Sequence, residues 1–342
     1  MRRASELARR YSFTPRRDRA TPRDASSISA SSFVILIPVV VAAALVGLGL
    51  LVAGGSSALP SEVCSGDECA PLVAAASTAP TPTPSPAVNL ATEPNDPPLI
   101  TAYAATVIEA PCGAAVYQLN ETLRLAPASL VKMMTAIVAL EQADANEIVE
   151  IEIDGGALSL EADATAMGLK PGDRLPLIDL VYGLLMRSAI DAAIVIAEHI
   201  AGDEDAFVLL MNEKAAALGL TDTTFANVSG LDHPTQWMSS HDAALLGSAL
   251  LNEPLLAEVV ATTEYQPAWS RGPIANLNLL LNNYPGAVGV KTGFTDDAGQ
   301  TIVAAADKDG RRLITSVLYS EDLYVDAASL LTWAFANTAQ AC

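Results

Sequence analysis

Ser129-Leu130-Val131-Lys132 sets a hydroxyl and an amine three residues apart. On a helix, positions i and i+3 share a face, so Ser129 Oγ and Lys132 Nζ can come within hydrogen-bond reach. A serine hydroxyl is a weak nucleophile until a neighbouring base takes its proton. Lysine serves as that base only where burial or a second cation lowers its pKa. At a helix start, Ser129 would also have unpaired N–H groups and the positive end of the helix dipole beside it. Acyl transfer through an acyl-serine is the chemistry this pattern suits. A second constellation follows about 160 residues later, Gly289-Val290-Lys291-Thr292-Gly293, at the end of an apolar strand. It offers a cation, a hydroxyl and a glycine that lets backbone approach closely. Alone it reads as an edge-strand lysine and a turn glycine. The chain has only five lysines, and the two motifs in this order make each other more informative.

Other chemistries fit less well. There is no G-x-S-x-G, so the nucleophile elbow of the serine–histidine hydrolases is missing. His199 lies inside a helical stretch, His233 in a loop and His241 at a helix start, and all three read as structural. The many carboxylates are expected on the solvated surface of an acidic chain. Cys64, Cys69, Cys112 and Cys342 lack zinc-ligand spacing, so neither a metal nor a cofactor is implied. Four cysteines allow three pairings; Cys64–Cys69 with Cys112–Cys342 is preferred.

The elements that must position these residues can be read from pattern. Strand-like runs Ala102–Glu109 and Ala114–Gln118 flank Pro111-Cys112-Gly113. A helix is expected from about Ala128-Ser129 to Gln142, with Leu130, Met133, Met134, Ile137 and Leu140 on its apolar side. Residues 176–260 read as mostly helical, punctuated by Pro176, Gly202, Gly219 and the cap Ser239-Ser240. Strands return at Ala287–Lys291, Gln300–Ala305 and Arg312–Tyr319, the last two joined by Asp307-Lys308-Asp309-Gly310, before a closing helix near Leu323–Ala336. Strands at both ends with helices between predict an α+β fold: one antiparallel sheet built from both ends of the domain, with a helical cluster inserted.

The remainder of the chain sets the context. Formal net charge is −20, yet residues 1–31 hold eight Arg against three acidic residues, leaving 11 Lys and Arg against 36 Asp and Glu beyond them. So acidic a body repels phosphate backbones, and nucleic acid is not an expected partner. From Ala25 to Ser61 no residue is charged. The apolar run from Phe33 to Ala53 is long enough to cross about 30 Å of hydrocarbon, whereas the apolar core of a cleaved signal peptide, the alternative, is usually shorter. The expected organisation is a basic cytoplasmic arm (1–31), a transmembrane anchor (32–55), a Pro/Thr/Ser/Ala-rich tether (56–98) and a catalytic domain (99–342). With arginines preceding the span, that domain is expected outside the cytoplasm.

Pro127-Ala128-Ser129-Leu130-Val131-Lys132-Met133-Met134-Thr135, Met167 to Asp173, Leu180 to Leu185, Ser229-Gly230-Leu231-Asp232 and Lys291-Thr292-Gly293-Phe294-Thr295 occur in that order. Together they resemble the serine-type D-alanyl-D-alanine carboxypeptidases of the low-molecular-mass penicillin-binding protein, β-lactamase-like superfamily. The resemblance covers about 100–340. It implies a transpeptidase-like fold and a carboxypeptidase that trims peptidoglycan stem peptides ending in D-Ala-D-Ala, with β-lactams as covalent inhibitors. It further implies Ser129 as nucleophile, Lys132 as base and Ser188 as proton relay. Lys291 and Thr292 would hold the terminal carboxylate, and beside Gly293 the N–H groups of Ser129 and Phe294 would form the oxyanion hole. Two departures stand out. Ile190 occupies the place of the family's Asn, and Val317 to Asp322 contains no Arg where many relatives have one. A divergent working enzyme, a catalytically silent peptidoglycan binder and a β-lactamase remain the alternatives.

Overall fold

The structure is a computed structural model describing residues 96–269 and 271–342. The basic arm, the expected anchor at 32–55, nearly all of the tether and the Cys64–Cys69 pair lie outside the described residues. In chain order the elements are β1 (Ala104–Ala110), β2 (Ala114–Leu119), a 3-10 turn (Ala128–Leu130) running into α1 (Val131–Gln142), β3 (Ile148–Glu150), α2 (Gly155–Ala162), β4 (Arg174–Pro176), α3 (Leu177–Met186), α4 (Ile190–Ala201), α5 (Glu204–Ala217), α6 (Ser240–Leu251), α7 (Pro254–Ala261), β5 (Glu264–Tyr265), β6 (Ile274–Ala275), α8 (Leu280–Asn283), β7 (Ala287–Thr295), β8 (Gly299–Lys308), β9 (Arg311–Ser320) and α9 (Leu323–Asn337). Among the described residues no single helix is long and apolar enough to cross a membrane.

A five-stranded antiparallel sheet of order β2-β1-β9-β8-β7 forms the frame. Strands from both ends of the domain therefore meet in its middle, as the α+β expectation required. Side chains alternate across a strand, and here both faces are covered. Ile302, Ala304 and Ala306 of β8 pack with α9 residues Leu323, Ala327, Leu330 and Leu331. Val303 and Ala305, between them, join the larger core of the inserted helices. Covered on both faces, β8 carries an unbroken apolar run from Ile302 to Ala306, whereas β9 buries Thr315 and Ser316 among its apolar residues. Side-chain caps set several helix starts: Asp203 accepts from Ala206 N, Ser239 from Asp242 N and Asp322 from Val325 N.

Two boundaries differ from the sequence expectation near the motifs. Ser129 sits not in the α-helix but in the 3-10 turn before it, whose first residue, Ala128, has φ +49°. The strand expected to end at Lys291 continues to Thr295, since Thr292 to Thr295 pair with Gly299 to Ile302 of β8. Gly293 is thus a strand glycine and not a turn glycine.

The expectation that carboxylates lie on the solvated surface is also wrong for several of them. Glu109, Asp179, Asp191, Glu204, Asp242 and Asp326 are buried. A buried carboxylate needs donors, and these have them: Asp191 alone accepts from the backbone N–H groups of Met167, Gly168, Leu169 and Ala192 at 2.8–3.0 Å. The Cys112–Cys342 disulfide is present and ties the β1–β2 turn to the C-terminus.

Candidate active site

The two sequence motifs meet where the 3-10 turn and α1 pack against β7. Ser129 opens the approach, and α1 carries Lys132 inward until its side chain is buried (3 % exposed). Lys132 Nζ lies 3.0 Å from Ser129 Oγ and donates to the backbone carbonyl of Ser229. Burial pushes the Lys132 pKa well below its ordinary value and the nearby Lys291 ammonium lowers it further, while Asp191 opposes them weakly. The result is an amine able to lose its proton while touching a hydroxyl, the requirement for activating a serine.

Lys291 is likewise buried (1 % exposed), and burial brings its pKa down to about 7. Its amine donates to the Thr292 carbonyl at 2.7 Å. Gly293 has a packing reason to be glycine: a Cβ there would stand 2.9 Å from Ser129 N and 2.6 Å from Thr301 Oγ1. Only bare backbone lets β7 come so near the nucleophile's N–H. Phe294 follows with its ring exposed (66 %).

Ser188 lies in the loop between α3 and α4, largely buried, with φ +62°. Thr165 fixes this loop: its Oγ1 donates to the Ser188 carbonyl at 3.1 Å and its carbonyl accepts from Ile190 N at 2.8 Å. Among the described residues the Ser188 hydroxyl makes no hydrogen bond to Ser129 or Lys132. Ile190 is 1 % exposed and belongs to the apolar core. The structure therefore brings Ser129, Lys132, Lys291 and Gly293 together, while the hydrogen bond of Ser188 runs to Thr165.

Sequence reasoning quoted Ser229-Gly230-Leu231-Asp232 but gave these residues no role. In the structure this turn is part of the site. Gly230 has φ +85°, and a Cβ on it would fall 2.0 Å from the Ala128 carbonyl oxygen, so the turn lies flat on the peptide before the nucleophile. Asn227, Gln236 and Thr301 escaped notice too, although Asn227 shortly before a glycine is a turn signal. Thr301 Oγ1 donates to the Pro127 carbonyl at 3.3 Å and supports the nucleophile segment from β8. Asp232 accepts from Thr295 Oγ1 at 2.6 Å, fastening the turn to β7. Among the described residues no group of His, Cys, Asp and Glu could hold a metal.

Residues 91–322 match the peptidase family described as D-alanyl-D-alanine carboxypeptidase. The chain belongs to this family. A D-alanyl-D-alanine carboxypeptidase of Mycobacterium tuberculosis, DacB2, is 36 % identical over 225 residues, covering 63 % of this chain and 76 % of the relative. DacC of Escherichia coli is 35 % identical over 249 residues, 70 % of this chain, and the match spans 62 % of that longer relative. Among solved structures, a D-alanyl-D-alanine carboxypeptidase of M. tuberculosis superposes with a TM-score of 0.66 at 33 % identity, covering 72 % of this chain and 95 % of that one. The Streptomyces K15 DD-transpeptidase superposes with a TM-score of 0.67 at 27 % identity, covering 70 % and 99 %. Family membership agrees with the α+β frame.

Proposed function

We propose that this chain is a serine-type D-Ala-D-Ala carboxypeptidase acting on peptidoglycan stem peptides. The observation that carries the reading is the buried, low-pKa Lys132 amine in contact with Ser129 Oγ. Ser129 Oγ attacks the carbonyl of the penultimate D-alanine while Lys132 takes its proton. The C–N bond to the terminal D-alanine breaks, and that proton leaves with the amine, passed through Ser188. Water then hydrolyses the acyl-serine, giving the shortened peptide and restoring the hydroxyl. Lys291, protonated, and Thr292 hold the terminal carboxylate. The N–H groups of Ser129 and Phe294 bind the oxyanion, with Gly293 allowing their approach; one such donor is typically worth about 10²–10³ in rate. β-Lactams acylate the same serine and act as covalent inhibitors.

Ile190 favours a second reading of the same site. Its apolar side chain offers no hydrogen bond to a substrate or to the lysine, which fits a protein that acylates without efficient turnover or only binds wall peptide. Intact mass after incubation with a penicillin, beside Ser129→Ala, tests the first reading: an adduct is expected on the wild type alone. No adduct on folded wild type overturns it in favour of silent binding. Where an adduct forms, D-alanine release from a D-Ala-D-Ala peptide separates turnover from stalled acylation, and rapid penicillin hydrolysis would mark a β-lactamase.

The location proposed for the activity is the outer side of the membrane, with residues 32–55 as a single-pass anchor and 56–98 as a tether. The arginine-rich arm before a run of about twenty apolar residues supports it. Protease added to intact cells should digest the catalytic domain; full protection would count against this topology.

A further inference from the structure

We propose that Asn227 is a positioning residue for the acylation step, holding the Ser229–Gly230 peptide so that its carbonyl aims the Lys132 amine at Ser129. The inference rests on the carboxypeptidase reading and names a part of its machinery that lies outside the recognisable motifs. A neutral amine has one lone pair, so it can accept the serine proton only if its N–H bonds point elsewhere. The Ser229 carbonyl receives one of them. The same peptide unit ends in Gly230 N–H, which donates to Asn227 Oδ1 at 2.7 Å. One rigid plane is therefore gripped at both ends, by Lys132 at the oxygen and by Asn227 at the nitrogen.

Asn227 is itself fixed in place. Its Nδ2 donates to the Leu231 carbonyl at 2.8 Å, which settles the orientation of the amide, and its Oδ1 also accepts from Ser229 N at 3.2 Å. Gln236 completes the frame: its Oε1 accepts from Ala226 N and Asn227 N, and its Nε2 donates to the Leu231 carbonyl. Both amide side chains are buried. A buried polar network of this kind is costly to leave half satisfied and rigid when complete. Ile190, buried in the apolar core, has no polar group to offer Lys132. The Ser229 carbonyl is thus the polar group directing the base in this chain.

The native charged groups around the pair stay constant in the test, and only Asn227→Asp adds one. Lys132 senses Lys291 on β7 and Asp191 on α4. At the turn, Glu204 of α5 accepts from Val228 N and Asp232 holds Thr295. A carbonyl oxygen facing an amine favours its protonated form, so a carbonyl released from its place lowers the lysine pKa further.

The experiment is the pH dependence of acylation by a fluorescent penicillin for wild type, Asn227→Ala and Asn227→Asp, with folding checked by circular dichroism. For Asn227→Ala the acid limb is expected to move to lower pH. The limiting acylation rate should fall by about 10²-fold, the scale of a misplaced catalytic group, with half-saturation little changed. Asn227→Asp keeps an acceptor for Gly230 N–H and adds negative charge, so its limb should move to higher pH by about one unit. Profiles that superimpose on wild type, with only thermal stability reduced, would overturn the inference and leave the carboxypeptidase reading standing. Should Asn227→Ala not fold, the direction of the Asn227→Asp limb decides alone. Absence of any adduct on the wild type overturns the carboxypeptidase reading, and this inference with it.

Discussion

Two lysines of opposite duty share the site. In the proposed mechanism Lys132 has to be neutral to accept the Ser129 proton, and Lys291 has to be charged to hold a carboxylate. Burial lowers both, and the charge of Lys291 lowers Lys132 further: Lys132 is held well below its ordinary range and Lys291 comes down to about 7. Second-order acylation by a penicillin should rise with pH as Lys132 loses its proton and fall above about pH 7 as Lys291 loses its own. A carboxylate bound at Lys291 raises that pKa, so the falling limb should shift to higher pH once the site is saturated. Lys291→Arg, whose cation does not titrate here, should lose the falling limb even if its rate is low. A wild-type profile still climbing through pH 9 would contradict this division of labour.

At the scale of elements, the site is a meeting of three backbones: the 3-10 turn at Ala128–Leu130, the Ser229–Gly230 turn and β7. Ala128 takes a left-handed φ that a non-glycine residue adopts at a cost of about 1–2 kcal/mol, a strain set directly before the nucleophile where neighbouring elements hold it. Gly293→Ala tests the closeness of this meeting, since its Cβ would press on Ser129 N and Thr301 Oγ1. Acylation should drop by about 10²–10³-fold, as for loss of an oxyanion donor, while the fold is retained; near-normal acylation would show that β7 has room to retreat. The sequence made the side-chain part of this junction legible. Ser129, Lys132, Lys291 and Gly293 carry distinctive letters at distinctive spacing, and alternation placed the strands to within a few residues. It could not show that a carbonyl directs the lysine, because every residue has one. Nor could it separate buried Asp191 from surface aspartates, since the letter is the same and only the four N–H groups around it differ.

For the molecule as a whole, both ends of the domain close on one spot. Buried Glu109 on β1 accepts from Arg311 on β9 at 2.8 Å and from Ala341 N at 3.0 Å. Burial would raise its carboxyl pKa, but those donors outweigh it and hold the group below the usual carboxylate range. Arg311 in turn donates to the Thr338 and Ala339 carbonyls, and the Cys112–Cys342 disulfide closes a loop of 230 residues in sequence over the same place. Cys342→Ser should lower stability by about 2–4 kcal/mol, read as a shift in the urea midpoint, with penicillin acylation unchanged because the hydrogen bonds of both cysteines run to Glu109 and to each other. An unchanged midpoint would assign the fastening of this end to Glu109 and Arg311 alone. The strand order was not legible in the sequence: apolar runs identify β1 and β9 as strands, but their adjacency comes from pairing across some two hundred residues.

That adjacency also sets an order of events. In a chain extruded from its N-terminus, Ser129 and Lys132 emerge early, attached to a β1 that has only β2 beside it. Gly293, Thr301 and β9 come last. On the proposed mechanism the nucleophile is therefore presented long before the β7 and β8 residues that support it.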